Sequence, residues 1–234
     1  MNDISQAFAK AIQLITQLDA NLLEIVSLSM RVSLTSVLIA SLIGLPLGAA
    51  LALYKFPGRG FFVVLLNAFM GLPPVVVGLI VYLMLSRSGP LGVLGLLFTP
   101  TAMIIAQTCL ITPIIAALAR QTIMDANVEY HEQLRALGAK SFRIMKTLLW
   151  ETKYSLLTSV FAGFGRATAE VGAVLIVGGN INHATRVMTT AIALETRKGD
   201  IELALALGII LIVISLILTT IVMNIRDAAY KYYN

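Results

Sequence analysis

The chain has 234 residues, of which 58% are hydrophobic and only 12% are charged, whereas soluble domains average about half apolar and a quarter charged residues. This composition excludes an ordinary soluble protein and indicates an integral membrane protein. The net charge of +5 does not indicate nucleic-acid binding, because the basic residues cluster between apolar segments without a patch of interleaved aromatic residues. We therefore expect the chain to lie in the lipid bilayer and to bind no nucleic acid.

The first element, residues 1–22, is predicted to be an amphipathic helix. Apolar residues recur there at helical spacing, with Lys10 and several glutamines between them. These apolar residues are Ile4, Phe8, Ile12, Ile15 and Leu18. The pattern leaves two arrangements open, a helix lying at the membrane interface and a helix packed on the edge of a bundle.

Five segments are apolar and long enough to cross about 30 Å of hydrocarbon, which needs roughly 20 helical residues. They are residues 32–54, 61–85, 101–119, 154–178 and 203–224. In the first span, the spacing Gly44-x-x-x-Gly48 lets a neighbouring helix approach closely, although Pro46 between the two glycines favours a kink. The expected fold is all-α, with about five transmembrane helices and the amino-terminal amphipathic helix.

The second predicted span contains a helix break. Pro73 and Pro74 follow Gly71, and a proline inside a helix removes a backbone donor and clashes with the preceding turn. The carbonyl groups that the break leaves free need a neighbouring helix or a water-lined cavity. Gly71, Pro73 and Pro74 are therefore gate candidates, with a simple structural kink as the favoured alternative.

Lysines and arginines set the predicted orientation, because cytoplasmic connections retain them. One side of the predicted spans holds five of these residues apart from Arg31, which adjoins the first span; they are Lys10, Arg87, Arg186, Arg197 and Lys198. The other side holds ten, which are Lys55, Arg59, Arg120, Arg135, Lys140, Arg143, Lys146, Lys153, Arg226 and Lys231. With five spans, this asymmetry puts the amino terminus outside and the carboxyl terminus in the cytoplasm. Residues 120–153 then form a cytoplasmic connection.

The connection 120–153 alternates charged and apolar residues at helical spacing, which predicts two short helices. Gly138 lies where they would meet, and a glycine permits a sharp change of direction. Such a helix pair exposes an apolar ridge flanked by basic residues, which suits a groove on a partner protein. The expected ridge comprises Leu134, Leu137, Phe142, Leu148 and either Ile144 or Met145. An ordinary basic loop is the alternative.

No residue pattern predicts catalysis or a metal site. His131-Glu132 begins like the zinc motif His-Glu-x-x-His, but Arg135 occupies the second ligand position and would repel a cation. Cys109 is the single cysteine, which excludes a thiolate cluster. The chain also lacks the Gly-x-x-x-x-Gly-Lys-Ser/Thr phosphate-binding loop. We therefore expect no enzyme activity, no catalytic residue, no metal and no cofactor in this chain.

The fourth predicted span carries Arg166 and Glu170, two charges that are costly in hydrocarbon unless they are paired or hydrated. A continuous helix would place Arg166 about 18 Å from Tyr154, near the middle of the membrane, and Glu170 one turn later on the same face. The pair either locks this helix to its neighbours or faces the permeation path. Gly178 and Gly179 add close packing or hinges, which alternating access would need.

The following connection, from Asn180 to Glu202, is rich in hydrogen-bond donors that could meet a tetrahedral oxyanion. Asn180, Thr189 and Thr190 are placed on the candidate translocation path together with Arg166, Glu170, Gly178 and Gly179. Further donors in the connection are Asn182, Thr185 and Arg186. The alternative is that these are polar loop residues facing the solvent.

The cytoplasmic connection resembles the EAA loop of ATP-binding-cassette importer permeases, which fits into the ATPase subunit. The resemblance rests on Glu132, followed six residues later by Gly138-Ala139, and on the apolar residues after them. Gln133-Leu134 replaces the usual paired alanines, and Trp150-Glu151 replaces the usual leucine-proline. The resemblance implies ATPase-coupling roles for Glu132, Ala136, Leu137, Gly138, Ala139, Phe142 and Ile144.

A second stretch, from Gly165 to Ile181 with Thr185 to Glu195 and Lys198-Gly-Asp, is similar to the permease subunits of tungstate importers. Related molybdate and sulfate permeases carry a looser version, so these two oxyanions are the alternative substrates. The resemblance implies the type I ABC importer permease architecture, with residues 1–234 as one transmembrane domain in a prokaryotic inner membrane.

The same resemblance implies a homodimer with the path between its copies. It also implies two cytoplasmic ATPase subunits that bind Mg-ATP, and an extracytoplasmic tungstate-binding protein. Two other classes of protein are possible from the sequence alone. A secondary transporter would usually show inverted repeats and an ionisable relay, and a membrane enzyme would need a convergent nucleophile, base or metal.

Overall fold

The computed structural model describes the backbone of residues 2–233 and the side chains of residues 7–130 and 132–225. Over residues 2–233 the chain is helical and contains no strand. Its α-helices are α1 (Asn2–Thr16), α2 (Ala20–Leu53), α3 (Arg59–Met70), α4 (Pro74–Leu85), α5 (Pro100–Ala136), α6 (Ser141–Glu151), α7 (Lys153–Thr168), α8 (Gly172–Gly178), α9 (Met188–Lys198) and α10 (Ile201–Tyr233). A short 3₁₀ turn occupies Gly92–Leu94.

Three of these helices are long and apolar enough to cross a membrane within the described residues, namely α2, α5 and α10. The number rises to five if each broken pair, α3 with α4 and α7 with α8, counts as one span. The predicted all-α membrane fold is confirmed. Two helices extend well beyond the predicted spans, because α2 begins at Ala20 and α5 continues to Ala136. Polar residues outside the hydrocarbon do not end a helix, so hydropathy alone underestimates its length.

The chain divides into two compact units. Unit 1 comprises the described residues up to Ser36, together with Pro73–Gln107 and Ala167–Leu218. Unit 2 comprises Val37–Leu72, Thr108–Arg166 and the described residues from Thr219.

In unit 1, α1 packs on a core formed by the first turns of α2 and by α9 and α10. Ala11 of α1 is fully buried there, among Leu22, Met188 and Leu207. An ion pair between Lys10 and Glu202 adds to this contact. Of the two arrangements that the sequence left open, the structure places α1 against the bundle. Helix α1 ends at Thr16, and the Asp19 carboxylate then caps α2 by accepting a hydrogen bond from the Leu22 amide at 3.0 Å.

In unit 2, α2 and α5 approach closely where α2 carries Gly44 and Gly48. A Cβ atom on Gly48 would clash with the carbonyl oxygen of Ala116 and lie 2.9 Å from the amide nitrogen of Arg120. Helix α2 is continuous through Pro46. The predicted packing role of the glycine pair is therefore confirmed, and the partner is α5.

Candidate coupling segment and translocation residues

The turn between α5 and α6 is a Schellman motif centred on Gly138. The amide of Ala139 donates to the carbonyl of Leu134 at 3.0 Å, and the amide of Gly138 donates to the carbonyl of Arg135 at 2.9 Å. Gly138 has a φ of +72°, in the left-handed region that glycine adopts most easily. The predicted meeting point of two helices is therefore correct, although the first is the end of the 37-residue α5 and not a short helix.

Helix α6 has one buried face. Ile144 and Leu148 are buried against Ile123 of α5 and Leu156 of α7. These contacts hold α6 on unit 2, so the side chain of Ile144 packs inward, away from any partner protein. The expected ridge thus divides into an inner face, with Ile144 and Leu148, and an outer face.

The outer face exposes three large apolar side chains. Leu137 is 82% exposed, Phe142 is 68% exposed and Trp150 is 66% exposed. Lys153 lies over the Trp150 ring, with its Nζ 4.1 Å from the ring centroid, which is a cation–π contact. Four further cationic side chains on the same segment are exposed, namely Arg135, Lys140, Arg143 and Lys146. We call Leu137, Phe142, Trp150 and these basic residues the coupling surface. It can dock into an apolar groove with an acidic rim.

The fourth span is broken between α7 and α8, and buried polar contacts in unit 1 hold the break. The side-chain amide of Gln107 donates to the carbonyl of Ala167 at 3.0 Å, and the Thr189 hydroxyl donates to the carbonyl of Glu170 at 2.8 Å. The buried Glu170 carboxylate accepts a hydrogen bond from the amide of Ala173 at 3.0 Å, at the amino-terminal end of α8. A carboxylate in this place is stabilised by the unpaired amides of the helix end.

A small cavity with polar and apolar walls lies beside this break in unit 1. It is lined by Gln107, Thr168, Glu170 and Thr189 and by serines of α2, and its volume is about 10 Å³. The side-chain oxygen of Gln107 is buried and has no protein hydrogen-bond partner. A cavity of this size is close to the minimum for one water molecule. It is therefore too small for a tetrahedral oxyanion in this conformation.

The turn after α8 is held by its own polar side chains. The Thr185 hydroxyl donates to the carbonyl of Gly178, and the Thr190 hydroxyl donates to the side-chain oxygen of Asn180 at 2.9 Å. Thr185 and Thr190 are both buried. Gly179 has a φ of +72° and ends α8. The alternative of a solvent-facing polar loop is wrong for these two threonines, because both are buried and their hydroxyls donate to groups within the turn.

A buried carboxylate on α9 binds two cations. Glu195 lies 3.6 Å from Arg186 and 3.1 Å from Lys198, and its side chain is almost fully buried. The i,i+3 spacing of Glu195 and Lys198 was visible in the sequence, but the contact with Arg186 was not, because it depends on how the preceding turn packs on α9. It fixes α9 and the turn before it within unit 1.

The break in the second span lies where the prolines predict it. Helix α3 ends at Met70 and α4 begins at Pro74. At the end of α3, the carbonyls of Ala68 and Phe69 accept hydrogen bonds from the amides of Gly71 and Leu72, so these two groups are satisfied by the backbone of the break itself. Gly71 has a φ of −92°, which any residue adopts, so the break depends on the prolines and not on this glycine.

Comparison with known proteins identifies the family. Residues 44–230 match the family described as binding-protein-dependent transport system inner membrane component. The chain belongs to this family of transport permeases. It is 38% identical over 227 residues to the tungstate uptake system permease protein TupB of Peptoclostridium acidaminophilum, covering 97% of this chain and 100% of that protein. It is 35% identical to the TupB protein of Campylobacter jejuni, covering 95% and 93% of the two chains. It is 40% identical to a probable anion ABC transporter permease protein of Haloferax volcanii, covering 88% and 91%.

The permease carries the predicted coupling residues together at one turn. Glu132, Ala136, Leu137, Gly138 and Phe142 are exposed, and Ala139 is partly buried. Trp150 was noted only as a departure from the family pattern, yet it is one of the three large apolar side chains of the coupling surface. The signal available in the sequence was a tryptophan close to lysines in a predicted cytoplasmic connection.

The candidate path residues do not form one helical stripe. The predicted spacing of Arg166 and Glu170 on one continuous helix is wrong, because α7 ends at Thr168 and Glu170 lies in the break. Arg166 is half-buried in the last turn of α7, where a cation is favoured by the helix dipole. Gln107 was missed, although a polar side chain in an apolar span is costly in hydrocarbon and is therefore a candidate functional residue.

The described residues contain no group of three or more histidine, cysteine, aspartate or glutamate side chains that could hold a metal ion. The side chain of His131, on which the zinc interpretation depended, lies outside the described residues.

Proposed function

We propose that this permease imports tungstate through a homodimer powered by two cytoplasmic ATPase subunits. The observation that supports the substrate most directly is the identity of 38% over the whole length of a tungstate uptake permease. The observation that supports the ATPase partner is the coupling surface, a fixed helical turn that presents apolar side chains among mainly basic residues, with Glu132 and Glu151 also exposed. An extracytoplasmic tungstate-binding protein delivers the dianion, and Mg-ATP binds to the partner subunits.

The coupling surface transmits motion because it is rigidly joined to the spans. Helix α6 is anchored by Ile144 and Leu148, and α5 runs without interruption from the membrane span to Ala136. A displacement of Leu137 and Phe142 by the ATPase therefore moves α5 and α6 together. The ATPase moves these helices, and the permease alternates between inward-open and outward-open states.

The anion path is proposed to involve the residues around the α7–α8 break. Arg166 supplies positive charge, and Asn180, Thr189 and Thr190 supply hydrogen-bonding groups. In the present conformation Thr189 and Thr190 donate to partners in the protein, and the neighbouring cavity has the size of one water. The passage of an oxyanion therefore requires these contacts to open. Gly178 and Gly179 at the end of α8, and Gly71, Pro73 and Pro74 at the other broken span, are the proposed hinge and gate positions.

Molybdate and sulfate are the alternative substrates, because both share the tetrahedral dianion chemistry. The test is mass-spectrometric measurement of tungsten and molybdenum in cells with and without the gene, given both oxyanions at equal low concentration in sulfate-containing medium. Selective loss of tungsten on deletion, restored by the wild-type gene, is the expected result. Loss of molybdenum alone would reassign the substrate, and loss of neither metal would contradict both assignments.

A secondary transporter is the rival mechanism. Deleting the ATPase gene distinguishes the ATP-driven mechanism from a secondary transporter. If uptake is ATP-driven, tungsten accumulation is expected to fall to the level seen when the permease gene is deleted. Uptake that persists without the ATPase would contradict the ATP-driven mechanism.

A further inference from the structure

An apolar groove in unit 2 has no role in the proposed transport cycle. Its volume is about 730 Å³, within the range of about 300–1,000 Å³ that small-molecule pockets occupy. Its walls come from α2, α3 and α5 and from Phe56, which precedes α3. They include Ile43 and Leu47 of α2, Phe62 and Phe69 of α3 and Pro113 of α5.

The groove runs beside hydrocarbon, because α2 and α5 are two of the helices long enough to span the membrane. The lining residues from Ile43 to Leu51 extend about 12 Å along α2, at about 1.5 Å per residue. Few polar atoms face the groove, and the Thr112 hydroxyl already donates to the carbonyl of Thr108 at 2.7 Å. A polar solute would lose its hydrogen bonds to water there without gaining hydrogen bonds to the protein, whereas an alkyl chain has no hydrogen bonds to lose.

One end of the groove is positively charged. The Arg59 guanidinium donates from Nε to the carbonyl of Leu51 at 2.7 Å and from Nη2 to the carbonyl of Ala52 at 3.2 Å. This contact fixes a cation beside a residue that lines the groove. Lys55 is exposed and directly precedes Phe56, another lining residue. No acidic residue lies between Leu51 and Phe62 to offset these charges.

The apolar groove matches the acyl chain of an anionic phospholipid, and the two cations at its end match the negatively charged headgroup. We propose that the groove binds an acyl chain of such a lipid and that Lys55 and Arg59 bind its phosphate headgroup. Neutral lipids share the alkyl chain but not the net negative charge, so the cationic end makes the site selective. The site makes the permease sensitive to membrane composition, independently of which oxyanion it carries.

The test is photo-crosslinking of the purified transporter in nanodiscs, with a diazirine on the acyl chain of either phosphatidylglycerol or phosphatidylcholine. Crosslinks are mapped by peptide mass spectrometry. The expected result is that phosphatidylglycerol crosslinks concentrate on the groove residues and exceed those of phosphatidylcholine. Lys55→Glu is expected to lower this preference at least about fivefold, from the contribution of one cation near a phosphate. The matched control is Arg87→Glu, which reverses an exposed charge in another connection and should leave the preference unchanged.

Cys109 provides a second variant. It lines the groove and is exposed, so Cys109→Trp fills the space without overpacking a core, and Cys109→Ser leaves it open. Loss of groove crosslinks in Cys109→Trp but not in Cys109→Ser would support the proposal. Equal crosslinking by both lipids, or an even spread over all lipid-facing helices, would overturn it. Groove peptides that carry no lipid crosslink would also overturn it, because another protein surface, such as a second copy of the chain, would then cover the groove. Should Cys109→Trp fail to fold, the Lys55→Glu comparison decides the question.

Discussion

Three helical glycines differ in the space available for a side chain, and they provide a graded test of the packing between α2 and α5. A Cβ on Gly48 would clash with the backbone of Ala116 and Arg120, which cannot move without shifting α5. A Cβ on Gly44 would lie 3.1 Å from a methyl carbon of Ile115 and 3.2 Å from the carbonyl oxygen of Thr112, which are tight contacts but longer than those at Gly48. A Cβ on Gly208 of α10 would meet nothing within 4 Å.

The expected stabilities follow from two opposing terms. Replacing a helical glycine by alanine contributes about 1 kcal/mol through helix propensity, equally at all three positions. Overpacking costs about 1–3 kcal/mol, and Gly48 belongs at the upper end because its neighbours are backbone atoms. Gly48→Ala is therefore expected to destabilise the permease by about 2 kcal/mol. Gly44→Ala should be close to neutral, and Gly208→Ala should be stabilised by about 1 kcal/mol.

The assay is thermal unfolding of the purified permease in one detergent, followed by circular dichroism. For a chain of this length, 1 kcal/mol corresponds to about 2–4 °C in Tm. Gly48→Ala should lower the Tm by about 4–8 °C, and the order should be Gly208→Ala above Gly44→Ala above Gly48→Ala. Equal Tm values for the Gly48 and Gly208 variants would refute the close packing of α2 on α5.

Two further predictions concern the charge cluster of α9 and the turn before α6. Glu195→Gln leaves two cations without their buried carboxylate and should destabilise the protein by about 3 kcal/mol. The control Glu202→Gln, at an exposed ion pair, should cost less than about 1 kcal/mol. Similar Tm losses in the two variants would contradict a structural role for the Glu195 cluster. Gly138→Asn should retain most transport-coupled ATP hydrolysis, because asparagine tolerates the left-handed backbone region, whereas Gly138→Val should lose this hydrolysis. A valine variant with full coupled hydrolysis would show that the turn geometry is unimportant.

The long apolar helices could be predicted from the sequence because membrane spans need length and hydropathy, and both are visible in one chain. The break at Pro73 and the turn at Gly138 were also predictable, since proline and glycine act through their own backbone. The break at Glu170 was not, because no proline marks it and the carbonyl groups of Ala167 and Glu170 are held by Gln107 and Thr189, which are distant in the chain. The burial of Thr190 was not predictable either, because it depends on how α9, which carries this residue, packs within unit 1.

The two faces of α6 show a similar limit. The apolar pattern of the sequence grouped Phe142 with Ile144 or Met145 in one ridge, although residues two apart in a helix point to opposite faces. The structure buries Ile144 against α5 and α7 and exposes Phe142. A sequence pattern identifies the apolar residues of a helix, but which of them meet the rest of the protein depends on how the helix is docked.

The most direct test of the coupling surface is ATP hydrolysis by the assembled transporter in proteoliposomes, with Phe142→Asp compared with Val93→Asp. Both positions expose an apolar side chain, Phe142 at 68% and Val93 at 99%, so neither change should unfold the protein. We predict that Phe142→Asp loses the ATPase subunit on purification and loses binding-protein-stimulated hydrolysis, while Val93→Asp keeps both. A Phe142→Asp transporter that retains its ATPase subunit and full stimulated hydrolysis would contradict the proposal that this surface links the permease to its motor.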